Sequence, residues 1–206
     1  MPRYRIAIEA DTDCESPAEC ECTWHPYSFN RHHINHRSPD EFFDDNGRPR
    51  LWLRNKLRVG LAFVLSYHEH GLCLWFLQGT KYTPDAQWDT TGMAGVLVWE
   101  DPPDHIGGKT YDERKEDAES FLESYTDWCN GDCHGYVIEK SRTCALCAHD
   151  DWEEIDSCWG FCGDYIAEAV KEAIPEDATE ENTTIEGDGA YLVEGKLFDR
   201  KGAVHA

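Results

Sequence analysis

Hydrophobic and polar positions along this chain alternate in some stretches and recur at helical spacing in others. Residues 4–8 read as extended, and an acidic, Cys-bearing loop follows from Asp11 to Cys22. Between residues 59 and 77 β-branched and aromatic side chains gather around a polar break, Tyr67-His68-Glu69-His70-Gly71. That pattern predicts a buried hairpin, 59–66 and 72–77, with the His/Glu group at or near its turn. Residues 95–99 give another strand, stopped by Asp101-Pro102-Pro103. The clearest helix runs over 111–129, where Ala118, Phe121, Leu122, Tyr125, Trp128 and Cys129 fall on one stripe. Asn130-Gly131 stops it. A strand at 135–139, a polar Cys-containing excursion over 141–151, and a second amphipathic helix follow. That helix is capped by Asp164, striped by Tyr165, Ile166, Ala169, Val170 and Ile174, and ended by Pro175. An acidic, Thr-rich spacer and a late strand over 191–198 close the chain.

These elements predict an α+β fold: a mostly antiparallel sheet packed by two main amphipathic helices, with a Cys-rich excursion outside the core. The expected organisation is a single domain over 1–175 and an acidic C-terminal extension over 176–206.

Charge narrows the job. The 206 residues carry 19 Lys+Arg against 41 Asp+Glu, a formal charge of −22. Residues 1–99 hold 10 basic and 13 acidic side chains, and residues 100–206 hold 9 and 28, a net of −19. Direct binding to nucleic-acid phosphates or to an anionic membrane is therefore disfavoured. The one basic zone is residues 31–58, which includes Arg31, Arg37, Arg48, Arg50, Arg54, Lys56 and Arg58. Hydrophobic residues make up 40 % of the chain, enough for a core despite the charge. No Walker loop, dinucleotide fingerprint, HExxH helix or GxSxG elbow is present. The first residues lack an apolar run of signal-peptide length, and no stretch is apolar enough to span a bilayer. Cytoplasmic location is expected, and the ten cysteines are then thiols or metal ligands rather than a disulfide framework.

Cysteine spacing is the best chemical signal. Cys144-Ala145-Leu146-Cys147 can present two thiolates to one tetrahedral ion. Cys129 and Cys133 upstream, or Cys158 and Cys162 downstream, could complete a structural zinc site, with His134 and His149 as substitutes; the first set is preferred. Cys14, Cys20, Cys22 and His25 form a second cluster whose irregular spacing is awkward for a tight site, though a loop can manage it, and free thiols in an acidic loop are the preferred reading. His32, His33 and His36 read as surface residues beside the arginines. His68 and His70, two residues apart, share a strand face, with Glu69 on the other. Small and aromatic residues interleave over 155–163 just before the second helix, where a helix N-terminus would lower a thiol pKa. His70, Asp89, Asp156 and Cys158 form the candidate catalytic set, although packing around a glycine bend explains that segment more simply.

Four segments carry a resemblance: Glu69-His70-Gly71; Gln87-Trp88-Asp89 followed by Gly95-Val96; Asn130-Gly131-Asp132-x-x-Gly135-Tyr136; and Asp156-Ser157-Cys158-Trp159-Gly160-Phe161-x-Gly163. Over about residues 60–170 the chain resembles a family of uncharacterised accessory proteins encoded by tailed bacteriophages. It departs at Cys162, where the family pattern has an aromatic, and in the Cys144/Cys147 excursion, which only some relatives carry. The resemblance implies an accessory product acting in the host cytoplasm and implies no fold or activity. The function expected is an acidic protein that binds and modulates a host or phage protein, such as one with a basic groove, and so counters host defence. The alternative is a small Cys/His-dependent enzyme acting on a nucleotide-like substrate. A structural role ranks last.

Overall fold

The computed structural model describes residues 2–80, 86–143 and 150–198. In chain order its elements are β1 (Tyr4–Ala10), β2 (Trp24–Ser28), α1 (Leu51–Arg58), β3 (Ala62–His70), β4 (Leu72–Leu77), α2 (Ala86–Asp89) and β5 (Thr90–Trp99). They continue with α3 (Tyr111–Cys129), β6 (Cys133–Thr143), β7 (Asp150–Cys162), α4 (Tyr165–Ala173), β8 (Thr183–Glu186) and α5 (Ala190–Val193). This is an α+β fold, as the hydrophobic pattern predicts. Its strands divide between two four-stranded sheets, and the chain between two compact units: residues 16–130, and residues 1–15 with 131–206. No described helix is long and apolar enough to cross a membrane.

The unit of residues 16–130 holds an antiparallel sheet in the order β2-β5-β3-β4. Alternation along β5 explains its two covers. Leu97 and Trp99 join Trp24, Phe63 and Leu65 on the side of α3, against Ala118, Leu122 and Tyr125. Val96 and Val98 turn the other way, towards Phe42, Phe43 and Leu53 of α1. α3 begins in a capping box: the Thr110 side chain accepts from the Glu113 N–H, and Glu113 accepts from the Thr110 N–H. Its boundaries match those predicted from the stripe. The hairpin of β3 and β4 also forms, with its turn at Gly71 (φ +83°) and His70 paired to Leu72. β3 starts three residues later than expected, because Val59 caps α1, and it runs four residues further, taking the His/Glu group into the strand.

In the other unit the sheet order is β7-β6-β1-β8, antiparallel except where β1 runs parallel to β8. Ile6, Ile8, Tyr136 and Ile138 pack one face against Ile166 and Val170 of α4 and Leu192 and Val193 of α5. Three expectations are corrected here. The late strand over 191–198 is instead the short helix α5, while the Thr-rich spacer supplies β8. Residues 183–186 alternate intermediate and exposed positions along the edge of β1, and that pairing makes them a strand. Asp164 stands at the N-cap of α4 without a side-chain capping bond, accepting instead from Lys196 at 3.0 Å. Tyr165, placed on the buried stripe by spacing, is 50 % exposed, and Ala167 joins Ile166 and Val170 inside.

Candidate functional sites

The four motif segments pair off two by two. In β3 and the α2–β5 junction, His70 Nδ1 lies 3.0 Å from Asp89 Oδ2, and His68 Nδ1 lies 2.8 Å from Thr90 Oγ1. In the β6–β7 hairpin, Tyr136 pairs with Cys158, Ile138 with Asp156 and Cys133 with Cys162. A Cβ at Gly135 would fall 2.1 Å from a ring carbon of Trp159, so the glycine makes the notch on which that indole lies. Tyr136 stacks on Phe161, with centroids 5.9 Å apart, and donates to Asp156 at 3.2 Å. Burial, followed by the Asp156 carboxylate, pushes the Tyr136 hydroxyl up to about 12.

Of the candidate catalytic set, His70 and Asp89 form one contact in the first unit, and Asp156 and Cys158 lie on β7 of the second. The helix-terminus environment expected for Cys158 is corrected. Residues 156–162 are strand, and Cys158 is an exposed position within it whose thiol points back to its own Trp159 carbonyl at 3.9 Å. His70 is largely exposed, its side chain 73 % accessible.

The cysteines regroup. Cys14, Cys133 and Cys162 bring their sulfurs within 4.8 Å of one another, forming a cluster that could hold a metal ion. Cys133 and Cys162 are cross-strand neighbours, both buried, with sulfurs 3.0 Å apart. Cys14 reaches them because the loop after β1 is tied down by the Asp11 N–H to the Cys133 carbonyl, 2.8 Å. Burial pushes the Cys133 thiol far above its ordinary value, and its bonds to Cys162 and Cys14 add to this. Cys14 thus belongs with partners distant in sequence, where the irregular spacing of Cys14, Cys20 and Cys22 suggested a free thiol. Cys129 and Cys133, grouped in the expected zinc ligand set, fall in different units. The remaining members, Cys144 and Cys147, lie outside the described residues. A second group of three, nearer the surface, joins exposed Cys22 and His105 with half-buried Asp101, and Cys22 Sγ lies 3.6 Å from His105 Nδ1.

Sequence reasoning missed an aromatic cleft of about 320 Å³ in the unit of residues 16–130, with Trp75 and Tyr125 buried in its wall. Three cross-strand pairs on the α3 side of the sheet grade from core to rim: Leu65 with Leu77, Tyr67 with Trp75, and Glu69 with Cys73. Tyr67 and Trp75 have centroids 4.6 Å apart, and the ring of His33 stands edge-on to both. α3 contributes Tyr125 and, at its last residue, Cys129. Asn130 locks the rim: its Oδ1 accepts from the Cys73 N–H at 2.9 Å and its Nδ2 donates to the Cys73 carbonyl at 3.0 Å. Thr126 Oγ1 accepts from the Trp75 N–H at 3.1 Å. Thr126 of α3 and its cap residue Asn130 thereby stand in for a missing strand along the edge of β4, and they hold Cys129 beside Cys73. A hydrogen bond from the Cys129 thiol draws the Cys73 thiol below its ordinary value, and the same bond pushes Cys129 up.

No family model, curated protein or solved structure matches this chain.

Proposed function

We propose that this chain is an acidic protein-binding protein, of the phage accessory kind its motifs resemble, which engages a basic extended segment of a host or phage protein along β7. The observation that carries the reading is the character of that strand. β7 is a 13-residue edge strand of its sheet and carries Asp151, Glu153, Glu154 and Asp156 together with exposed Ile155 and Trp159. An edge strand offers a row of N–H and C=O groups to an incoming chain, and main-chain pairing supplies affinity while side chains select the partner. The carboxylates select Lys and Arg, and Trp159 supplies a flat apolar surface for their stems. The field of the unit favours the same partner: residues 1–15 and 131–206 carry 22 acidic and 8 basic side chains. Such a field speeds encounter with a basic surface and weakens as salt screens it. The setting for this activity is the host cytoplasm.

Zinc, held by Cys14, Cys133 and Cys162, staples the loop after β1 to the β6–β7 hairpin in this reading. Three thiols suit a soft or borderline ion. Two sulfurs bound to one tetrahedral zinc sit about 3.8 Å apart, given a Zn–S bond of about 2.3 Å. Loading therefore parts Cys133 and Cys162 from their 3.0 Å separation. The role in this reading is structural, because it fixes the base of the binding strand; the three thiols leave the fourth position of a tetrahedral ion to a further donor.

The test compares wild-type protein with a Glu154→Lys, Asp156→Lys variant in titrations with an extended Lys/Arg-rich peptide. Parallel captures use host lysate, and both proteins are weighed by native mass spectrometry. Wild type is expected to carry one zinc, to bind the peptide with an affinity that falls as salt rises, and to retain a partner that the variant loses. Equal binding by a folded, zinc-loaded variant would remove β7 as the interface.

A further inference from the structure

The aromatic cleft is not used by that reading, and its chemistry is distinct. We propose that Cys73 and Cys129 form a dithiol site that reduces small neutral or cationic disulfides by thiol–disulfide exchange, with Cys73 as the attacking sulfur and Cys129 as the resolving one.

Geometry separates the two roles. Cys73 lies on β4, half-buried at the rim of the cleft, and Asn130 clamps its backbone on both sides. Cys129 ends α3, where the helix dipole disfavours a negative charge on its sulfur. Cys129 therefore keeps its proton and donates it in a hydrogen bond to Cys73. A thiolate is the nucleophile in exchange, so the stabilised sulfur is the one that attacks first. Cys129 is itself exposed, which leaves the pair open to a reagent from solvent.

The neighbours argue for exchange over metal binding. Two other ligand-type side chains line the cleft: Glu69, whose carboxylate accepts from the Tyr67 hydroxyl at 2.9 Å, and His33, both of whose nitrogens are engaged. Nε2 lies 3.2 Å from the Asn30 amide nitrogen, which can only donate, so Nε2 accepts and Nδ1–H donates to Ser28 Oγ at 2.8 Å. Burial also pulls His33 below the ordinary imidazole value, in keeping with a neutral ring. Among the described residues no third His, Cys, Asp or Glu closes on both sulfurs tightly enough to hold a metal ion, and two thiols alone make a poor cage and a good redox pair. The walls set the substrate class. Tyr67, Trp75 and Tyr125 give flat apolar surfaces for the groups that flank a disulfide. Glu69 is the one formally charged residue that lines the cleft among the described residues, and it repels anionic disulfides.

The reaction balances as follows. The Cys73 thiolate attacks one sulfur of the substrate, forming a Cys73–S–S–R mixed disulfide and expelling the first thiolate. Cys129 gives its proton to that leaving thiolate and attacks the Cys73 sulfur, which expels the second thiolate, protonated from solvent. The substrate gains two electrons and leaves as two thiols, while the protein loses two hydrogens and closes a Cys73–Cys129 disulfide. A low-molecular-weight thiol restores the dithiol by the reverse exchange.

The experiment uses the full chain with limiting cystamine, followed by intact mass and peptide mapping. Wild type is expected to lose two hydrogens, to retain no cysteamine, and to yield a linked Cys73–Cys129 peptide. Cys129→Ser is expected to retain one cysteamine on Cys73, and dithiodiglycolate, a dianion, to react several-fold more slowly than cystamine in low salt. The wild-type map needs no substitution, so a variant that fails to fold does not decide the matter. First linkage at Cys133–Cys162, or first adducts on the exposed Cys20, Cys22 or Cys158, would overturn the assignment, as would a wild-type mixed disulfide that never closes. Equal rates for the two probes would overturn the substrate class.

Discussion

Gly95 and Gly135 both lack the room for a side chain, and the obstacle differs. At Gly95 a Cβ would fall 2.1 Å from the Tyr27 carbonyl oxygen on β2, so only a shift of the strand pair makes space. At Gly135 the obstacle is the Trp159 ring, which is 46 % exposed and can swing outward. Gly95→Ala is therefore expected to cost about 1–3 kcal/mol, the usual range for overpacking against fixed atoms. Gly135→Ala should cost less and should red-shift Trp159 fluorescence. Denaturant melts of Gly135→Ala, Trp159→Ala and the double variant check this: the alanine at 135 should be nearly neutral once Trp159 is gone. A full cost in both backgrounds would mean that the backbone, not the indole, demands glycine. Both glycines stand in segments that the sequence singled out, and steric fit explains them without any catalytic role.

At the scale of elements, the junction between β4 and the end of α3 rests on a side chain. Asn130 follows the last helical residue and makes with Cys73 the two hydrogen bonds that a neighbouring strand would have made. Asn130→Ala leaves a backbone donor and acceptor half-buried without those bonds and is expected to cost about 1–2 kcal/mol. Asn130→Asp keeps the acceptor and loses the donor, and should fall between wild type and alanine at neutral pH. Chemical denaturation of the three proteins gives the order. Asn130-Gly131 is the helix stop that the sequence predicts: the cap N–H bonds back to Thr126 and Asp127, and Gly131 has φ +72°. The second role of Asn130 depends on the hairpin bringing Cys73 alongside, which no local signal states.

For the whole molecule, the raised thiol and phenol values define a pH dependence. Burial holds Cys133 protonated in the folded chain, and burial likewise raises Tyr27, Tyr67, Tyr125 and Tyr136. In the unfolded chain these groups ionise near ordinary values, about 8.5 for Cys and about 10 for Tyr. Above those values the unfolded state holds fewer protons than the folded one, so stability falls as pH rises. Their stabilisation is complete below about pH 8 and fades through the alkaline range. Melting temperatures of metal-free protein should decline from about pH 8.5 upward. Zinc-loaded protein should decline less over the same range, because a zinc ligand is already a thiolate in the fold while Cys129 and the tyrosines still titrate. Identical profiles with and without zinc would remove Cys133 from the metal site.

Local chemistry made much of this protein legible from sequence. The period of apolar positions is enough to place α3 at about 111–129, because a stripe fitted to 3.6 residues per turn with a stop signal at its end has few other ways to be buried, although Cys129, on that stripe by spacing, is exposed. It also located the β3–β4 hairpin and the strands at 4–8, 95–99 and 135–139. Steric notches and turns gave the motif segments their glycines. Grouping of cysteines was a matter for tertiary structure. Cys133 stands four residues from Cys129 in the chain, yet the helix stop between them sends each to a different sheet, where Cys162, Cys14 and Cys73 wait as neighbours from far away. The same holds for β8 and α5, whose weak local patterns yielded to whatever pairing the edge of β1 and the face of its sheet left open. Periodicity tells which side of an element is buried. Only closure of the chain decides what it is buried against, and so which sulfurs meet.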